Sequence, residues 1–169
     1  MLEIITIAVL LLLDQVSKYL TDLYLSPLGT TLPGWDGVFQ LTSAHNTGAA
    51  WGMLKGFRWF FIVLTVAVLA ALIIVMIRNR KKLFWFPRLI LAMIVAGAAG
   101  NLIDRLLFGY VRDMFYFVLI DFPIFNVADS ALSVGCVLLA VNILFMKKER
   151  SVLVIEDKPD GGKADGDAG

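Results

Sequence analysis

The sequence predicts an all-α membrane protein: a four-transmembrane-helix bundle with a small extracytoplasmic β-rich element on the outer membrane face. Three observations carry that prediction. The 169-residue chain is 59% hydrophobic and only 17% charged, with a mean hydropathy of +0.81, which excludes an ordinary soluble domain. The apolar residues gather in four stretches, near 2–20, 57–77, 88–108 and 123–146, each close to the ~20 residues that cross a bilayer as a helix. Lipid cannot satisfy backbone polar groups, and the alternating pattern of a membrane barrel is missing, so the spans are helices.

The first stretch is N-terminal and apolar, but it lacks the basic start and small-residue cleavage pattern of a signal peptide and is read as a span. Between the second and third spans lie Arg78, Arg80, Lys81, Lys82 and Arg88, with no acid among them, which by the positive-inside bias makes this a cytoplasmic loop. Lys147, Lys148 and Arg150 after the fourth span agree. Both termini are then expected inside and the two other connectors outside. The first of these, Thr21 to Gly56, is rich in Gly, Pro and Thr, and "VFQLTSAHN" alternates like a strand after the turn signal "PGWDG", so a small sheet is expected to lie on the membrane. The second, about Gly109 to Asp121, contains "YVRDMFYFVLID", whose aromatics suit an interface. Residues 1–150 are expected to form one integral-membrane domain. Residues 151–169, ending in "EDKPDGGKADGDAG" without a large apolar side chain, are expected to be a disordered cytoplasmic tail.

A net charge of +1 with no basic stripe gives no reason to expect a nucleic acid partner. The single cysteine, Cys136, lies mid-span and reads as a small packing residue, so neither a disulfide nor a multi-cysteine metal site is expected. No metal or cofactor is expected, and four helices with few small-residue stripes suggest a monomer.

The expected orientation gathers the polar residues at one leaflet. Asp14 and Lys18 fall at the outer end of the first span, four residues apart on one face in the favourable acid-before-base order. Asn101, Asp104 and Arg105 fall at the outer end of the third. Asn126 and Asp129, three residues apart, begin the fourth, and Asn46 and Asp113 belong to the outer connectors. Ion pairing of Asp14 with Lys18, and of Asp104 with Arg105, would pin helix ends together without chemistry. Asp113 and Asp129 have no such sequence-local partner, if Arg112 faces away.

Serine-type proteolysis needs a His or Lys base; the only histidine, His45, reads as a loop or interface residue, and Ser17 and Lys18 point about 100° apart on a helix. One histidine cannot build a two-histidine zinc motif. Carboxylate chemistry remains: two nearby acids share a proton, one activating water and the other donating to the scissile carbonyl. Two other readings stay open on residues alone. One is a transporter with a proton relay through Asp14, Asp104 and Asp129, against which the inner halves of the spans look free of ionisable groups. The other is a noncatalytic scaffold.

Five blocks point further: "DQVSK" at Asp14 to Lys18, "NTGAAWG" at Asn46 to Gly52, "AGAAGNLIDR" at Ala96 to Arg105, "VRDM" at Val111 to Met114 and "FNVADS" at Phe125 to Ser130. In this order, among four spans, they resemble the lipoprotein signal peptidases (signal peptidase II), aspartyl peptidases of the bacterial inner membrane. The resemblance implies that Asp113 and Asp129 are the catalytic aspartates. It implies supporting or substrate-binding roles for Asp14, Lys18, Asn46, Asn101, Arg105 and Asn126, beside which Gly48 and Asp104 are carried as supporting residues. It implies a lipid-modified substrate, a prolipoprotein cut just before a diacylglyceryl-bearing Cys, and membrane lipid as surroundings. Ala96 stands where a Gly is common and Met114 where an aromatic is usual. Gly48, Ala49, Ala50 and the run Gly97 to Gly100 are small enough for close approach of substrate or of another helix.

Overall fold

A computed structural model of the chain describes residues 1–25, 28–48 and 53–146. Ala49, Ala50, the basic residues Lys147, Lys148 and Arg150, and the tail 151–169 lie outside the described residues. Among the described residues, four helices are long and apolar enough to cross a membrane: α1 (Leu2–Tyr24), α2 (Arg58–Arg78), α3 (Trp85–Leu107) and α4 (Val127–Phe145). At 1.5 Å per residue α1 extends about 34 Å, slightly more than the hydrocarbon thickness of a bilayer. The fold class is the one that composition predicts.

The helices are packed by the rules of lipid. Apolar surface gains nothing by leaving hydrocarbon, so helices associate where small side chains let backbones approach and where polar groups meet. Helix α2 is the most apolar of the four and buries only Ile62, packing chiefly on α3. Helix α3 packs against all three others, and its buried residues include Ala92, Ala96, Gly97, Ala98 and Gly100. A Cβ on Gly97 would stand 2.8 Å from the Leu132 backbone nitrogen of α4, and one on Gly100 would stand 2.6 Å from a carboxylate oxygen of Asp14 on α1. Helix α1 buries only Asp14, Lys18 and Thr21, a stripe at steps of four and three residues that faces α3 and α4.

Several boundaries differ from the sequence reading. Helix α1 continues one turn past residue 20. Helix α3 begins at Trp85, because Pro87 in the first turn removes no helical hydrogen bond. Helix α4 begins at Val127 rather than 123, since the chain before it is extended and bridges Phe125 to Phe115. Cys136 is exposed on the outer surface of α4 and is not a packing residue. The far end of the bundle is not free of charge either: Glu3 of α1 accepts from the Arg88 guanidinium of α3, joining two helices there.

A three-stranded antiparallel sheet, order β1-β2-β3, covers the polar end of the bundle. Strands β1 (Thr31–Trp35) and β2 (Phe39–Asn46) come from the first connector. The expected turn over "PGWDG" sits later, at residues 36–38, with Gly37 at φ 70 and the Val38 amide donating to the Trp35 carbonyl at 2.9 Å. Strand β3 (Val111–Tyr116) comes from the second connector, where only an interfacial aromatic segment was expected. Register runs Leu41 to Phe115 and then Ala44 to Asp113, three steps on β2 against two on β3, so β2 carries a bulge. Thr42 and Ser43 are therefore both buried, which breaks the alternation expected of this strand, and Ala44 is brought opposite Asp113.

Gly97→Ala is expected to lower stability in detergent by about 1–3 kcal/mol, because the new methyl meets backbone that cannot rotate away. Cys136→Ala, a change on the outer surface, is expected to stay within about 0.5 kcal/mol of the parent. Thermal or denaturant unfolding of the two purified variants measures the contrast.

Candidate active site

The start of α4 is where the polar residues converge. Asn126 is its N-cap and forms a capping box: its side-chain oxygen accepts from the Asp129 amide at 2.8 Å, while Asp129 Oδ2 accepts from the Asn126 amide at 3.3 Å. Asp14 reaches across from α1, its Oδ1 accepting from the Ala128 amide at 2.9 Å. A carboxylate is well placed there, since the unpaired amides and dipole of a helix N-terminus favour negative charge.

Two asparagines link the remaining acids. Asn126 Nδ2 donates to Asp113 Oδ1 at 2.7 Å, and Asn101 Nδ2 donates to Asp129 Oδ1 at 2.6 Å. Asn126 Nδ2 also lies 3.1 Å from Asn101 Oδ1, so the chain Asp113, Asn126, Asn101, Asp129 is continuous. Lys18 Nζ closes it, lying 3.1 Å from Asn101 Oδ1, 2.9 Å from Asp14 Oδ2 and 3.3 Å from Asp104 Oδ2. Its three N–H donors thus meet three acceptors, and Lys18 has no exposed surface. Among the described residues no buried side-chain polar atom lacks a partner.

Asp113 and Asp129 stand differently toward solvent. Asp129, half-buried, lines a cavity of about 600 Å³, whereas Asp113 is 2% exposed and sits behind it on β3. Asn46, Gly48, Asn101 and Arg105 complete the polar side of the cavity; Phe117, Ile120, Phe122, Pro123, Ile124 and Val134 form an apolar wall. Burial first, and then the charge of Asp129, push the Asp113 carboxyl up to about 7 against the opposing effect of hydrogen bonds to Asn46 and Asn126 and of Lys18. Asn46 also accepts from the Gly48 amide at 2.9 Å, which fixes the turn that ends β2. The Gly48 carbonyl in turn accepts from Arg105 at 3.2 Å, and the Arg105 guanidinium lies 4.9 Å from the Phe61 ring centroid. No group of three or more His, Cys, Asp or Glu among the described residues is arranged to hold a metal ion.

Over residues 6–145 the sequence matches the family described as Signal peptidase (SPase) II. The chain belongs to that family. The lipoprotein signal peptidase of Brevibacillus brevis is 44% identical over 144 residues, covering 84% of this chain and 94% of that protein. The one from Enterococcus faecalis is 45% identical over 141 residues, covering 83% and 86%. Two solved structures, each described as a bacterial membrane enzyme studied by the in meso method, are similar to this fold at 34% identity. Their TM-scores are 0.77 and 0.75; the first covers 84% of this chain and 87% of its own, the second 86% and 94%.

Both departures from the signal peptidase II blocks are accommodated by packing. Ala96 is buried in α3, and Met114 is buried with its sulfur 3.6 Å from the Thr21 hydroxyl. The expected Asp104–Arg105 pair is absent: neighbours on a helix point apart, so Asp104 turns to Lys18 and Arg112 while Arg105 turns to Gly48 and Phe61. Arg112, which enters the sequence reading only as a neighbour of Asp113 that faces away, is a centre of the network. Its guanidinium binds Asp104, Asp22 and Gln15. Asp22 follows Lys18 by four residues, a spacing that places it on the polar stripe of α1 and offered a signal. Arg58 was also missed; it donates to the carbonyls of Arg105 and Leu106 at 2.8 and 2.9 Å and so caps α3. His45 lies on β2 with its ring stacked on Tyr110, the centroids 3.7 Å apart.

Because the folded pKa of Asp113 lies above its ordinary 3.8, its contribution to stability is fully present below about pH 4 and is lost as pH rises through 7. Asp113→Asn removes that loss. The variant is expected to gain stability over the parent as pH rises from 4 to 8, by up to about 4 kcal/mol. Melting curves of both proteins in detergent across that range measure it; a constant difference would contradict the assigned shift.

Proposed function

We propose that Asp113 and Asp129 are the catalytic pair, and that the chain cuts diacylglyceryl-modified prolipoproteins immediately before the lipidated Cys. Membership of signal peptidase II makes the chain an aspartic-type peptidase that removes signal peptides from prolipoproteins. The observation that carries the residue assignment is the Asn126–Asn101 bridge, which ties the two carboxylates together beside a cavity with one apolar wall.

The buried Asp113 favours the shared proton, and Asp129 faces the cavity. In this mechanism one carboxylate takes a proton from water as its oxygen attacks the scissile carbonyl carbon, and the protonated partner donates to the carbonyl oxygen. Collapse of the tetrahedral intermediate then breaks the C–N bond as a proton passes to the leaving nitrogen. Asn101 and Asn126 hold the carboxyl oxygens in place, Lys18 supplies positive charge behind them, and Arg105, with Asn46 and Gly48, fixes the cavity rim. The acyl chains of the substrate keep its Cys at the interface and bring the scissile bond to the pair. The apolar wall, from Phe117 to Ile124, suits those chains.

The same reading places the site at the outer face of the bacterial cytoplasmic membrane. Arg78, Arg80, Lys81, Lys82 and Arg88 lie at the end of the bundle remote from the sheet, which favours that end as cytoplasmic. Residues 1–150 then act as one domain and as a monomer in contact with membrane lipid.

Asp113→Asn and Asp129→Asn are each expected to keep the fold and to lose about 10² to 10⁴ in turnover. The assay is cleavage of a purified lipidated prolipoprotein in detergent, with the unlipidated precursor, expected to be cut far less, as the comparison. Near-normal turnover by either variant would remove that residue from the pair, and equal cleavage of both precursors would remove the positioning role of lipid.

For orientation, single cysteines are placed at positions 36 and 80 in a Cys136→Ser background and treated in intact cells with an impermeant thiol reagent. Labelling is expected at 36 and not at 80, and the opposite result would invert the assignment of faces.

A further inference from the structure

We propose that Arg112 is a positioning residue for the aspartate pair, fixing the peptide that carries Asp113 and, through Asp104, keeping Lys18 on Asn101. The inference rests on the reading of Asp113 and Asp129 as catalytic.

Alternate residues of a strand point to opposite sides, so Arg112 cannot serve Asp113 directly although it precedes it in sequence. Its side chain turns toward α1 and α3. Nε and Nη2 bind the two oxygens of Asp104 as a fork, at 3.2 and 2.8 Å. Nη2 also lies 3.0 Å from Gln15 Oε1, Nη1 lies 3.2 Å from Asp22 Oδ2, and the guanidinium lies 4.5 Å from the Phe108 ring centroid. The side chain is thereby locked, with only 7% of its surface exposed.

The backbone of the same residue is held on both sides. The Arg112 amide donates to Asp104 Oδ2 at 2.9 Å, and the Arg112 carbonyl accepts from Asn126 Nδ2 at 3.3 Å. That carbonyl belongs to the peptide leading into Asp113, and the same Asn126 nitrogen lies 2.7 Å from Asp113 Oδ1. The fork on Asp104 thus sets where β3 begins relative to α3, and hence where the Asp113 carboxyl meets Asn126.

A second route runs through charge. Asp104 Oδ2 is shared between Arg112 and Lys18, and the Lys18 contact, at 3.3 Å, is longer than the one to Asp14, at 2.9 Å. With Arg112 in place, Asp104 makes a modest claim on the ammonium and leaves one donor for Asn101. Without the guanidinium, Asp104 would keep Lys18 as its ion-pair partner and Gln15 Nε2, 3.3 Å from its Oδ1, as a neutral donor. The ammonium would be drawn to Asp104, and Asn101 Oδ1 would keep only Asn126 Nδ2 of the two donors that direct its own Nδ2 toward Asp129.

Two variants of the full-length enzyme separate positioning from stability. Arg112→Lys keeps the charge but not the fork. Arg112→Gln combined with Asp104→Asn removes two opposite charges together and replaces the fork by single neutral hydrogen bonds. Both are expected to melt within a few degrees of the parent while kcat for the lipidated precursor falls about tenfold or more and KM stays within about twofold. The inference is overturned if kcat stays within about threefold of the parent in a folded variant, or if the loss is in KM. It is also overturned if neither variant folds, since Arg112 would then determine the fold and not the placement of the pair. The parent and Asp113→Asn are assayed alongside. A parent that does not cut the precursor counts against the functional reading, and a parent that cuts while Asp113→Asn does not leaves the Arg112 result to be judged alone.

Discussion

A lysine ammonium with no exposed surface lies where α1 meets α3, and much of the site is arranged around the acceptors that hold it. Taking an ion out of water costs several kcal/mol even after relaxation, and only close, fully used partners offset it. Asp14, Asp104 and Asn101 supply them. Each of those partners is then tied to something else: Asp14 to the first turn of α4, Asp104 to the strand bearing Asp113, Asn101 to Asp129. The buried charge thereby connects three helices and the sheet through single atoms, and it explains why Gly100 has no room for a Cβ.

The N-terminus of α4 shows how few residues are needed when each does two things. Asp129 completes a capping box and at the same time faces the cavity. Asn126 caps the helix through its oxygen and holds Asp113 through its nitrogen. A short aromatic cluster keeps the entry to this helix in place: Phe125 stacks against Phe117 and packs edge-on to Phe122, with centroids 5.8 and 5.7 Å apart. The bulge in β2 contributes from the other side, since without its extra residue Asn46 would not be in register with the start of β3.

The spans were legible because hydropathy acts over about 20 residues and needs no tertiary information. The Asp14–Lys18 pair was legible for the opposite reason, being local to one helix face. Asn126 and Asp129 were seen three residues apart, but their capping role depends on where α4 starts, and that is set by the bridge from Phe125 to Phe115. Strand β3 was missed because Val111, Arg112, Asp113 and Met114 are all buried, so both faces of the strand are covered and no period of two survives in the sequence. The error over Asp104 has the same origin. Its partner stands eight residues away around a turn, at a distance no helix periodicity encodes.

The uneven packing of the bundle also bears on how such a chain tolerates change over evolutionary time. Helix α2 buries one residue and asks of nearly every other position only that it be apolar, so Val, Leu, Ile and Phe are interchangeable along most of its length. Helix α3 has neighbours on several faces, and at Gly97 and Gly100 even a methyl group meets fixed atoms. Two spans of similar length in one small protein therefore evolve under different rules. Packing leaves most of α2 open to drift outside Arg58, Phe61 and Ile62, whereas substitutions at Gly97 or Gly100 of α3 call for a matching change in α4 or α1.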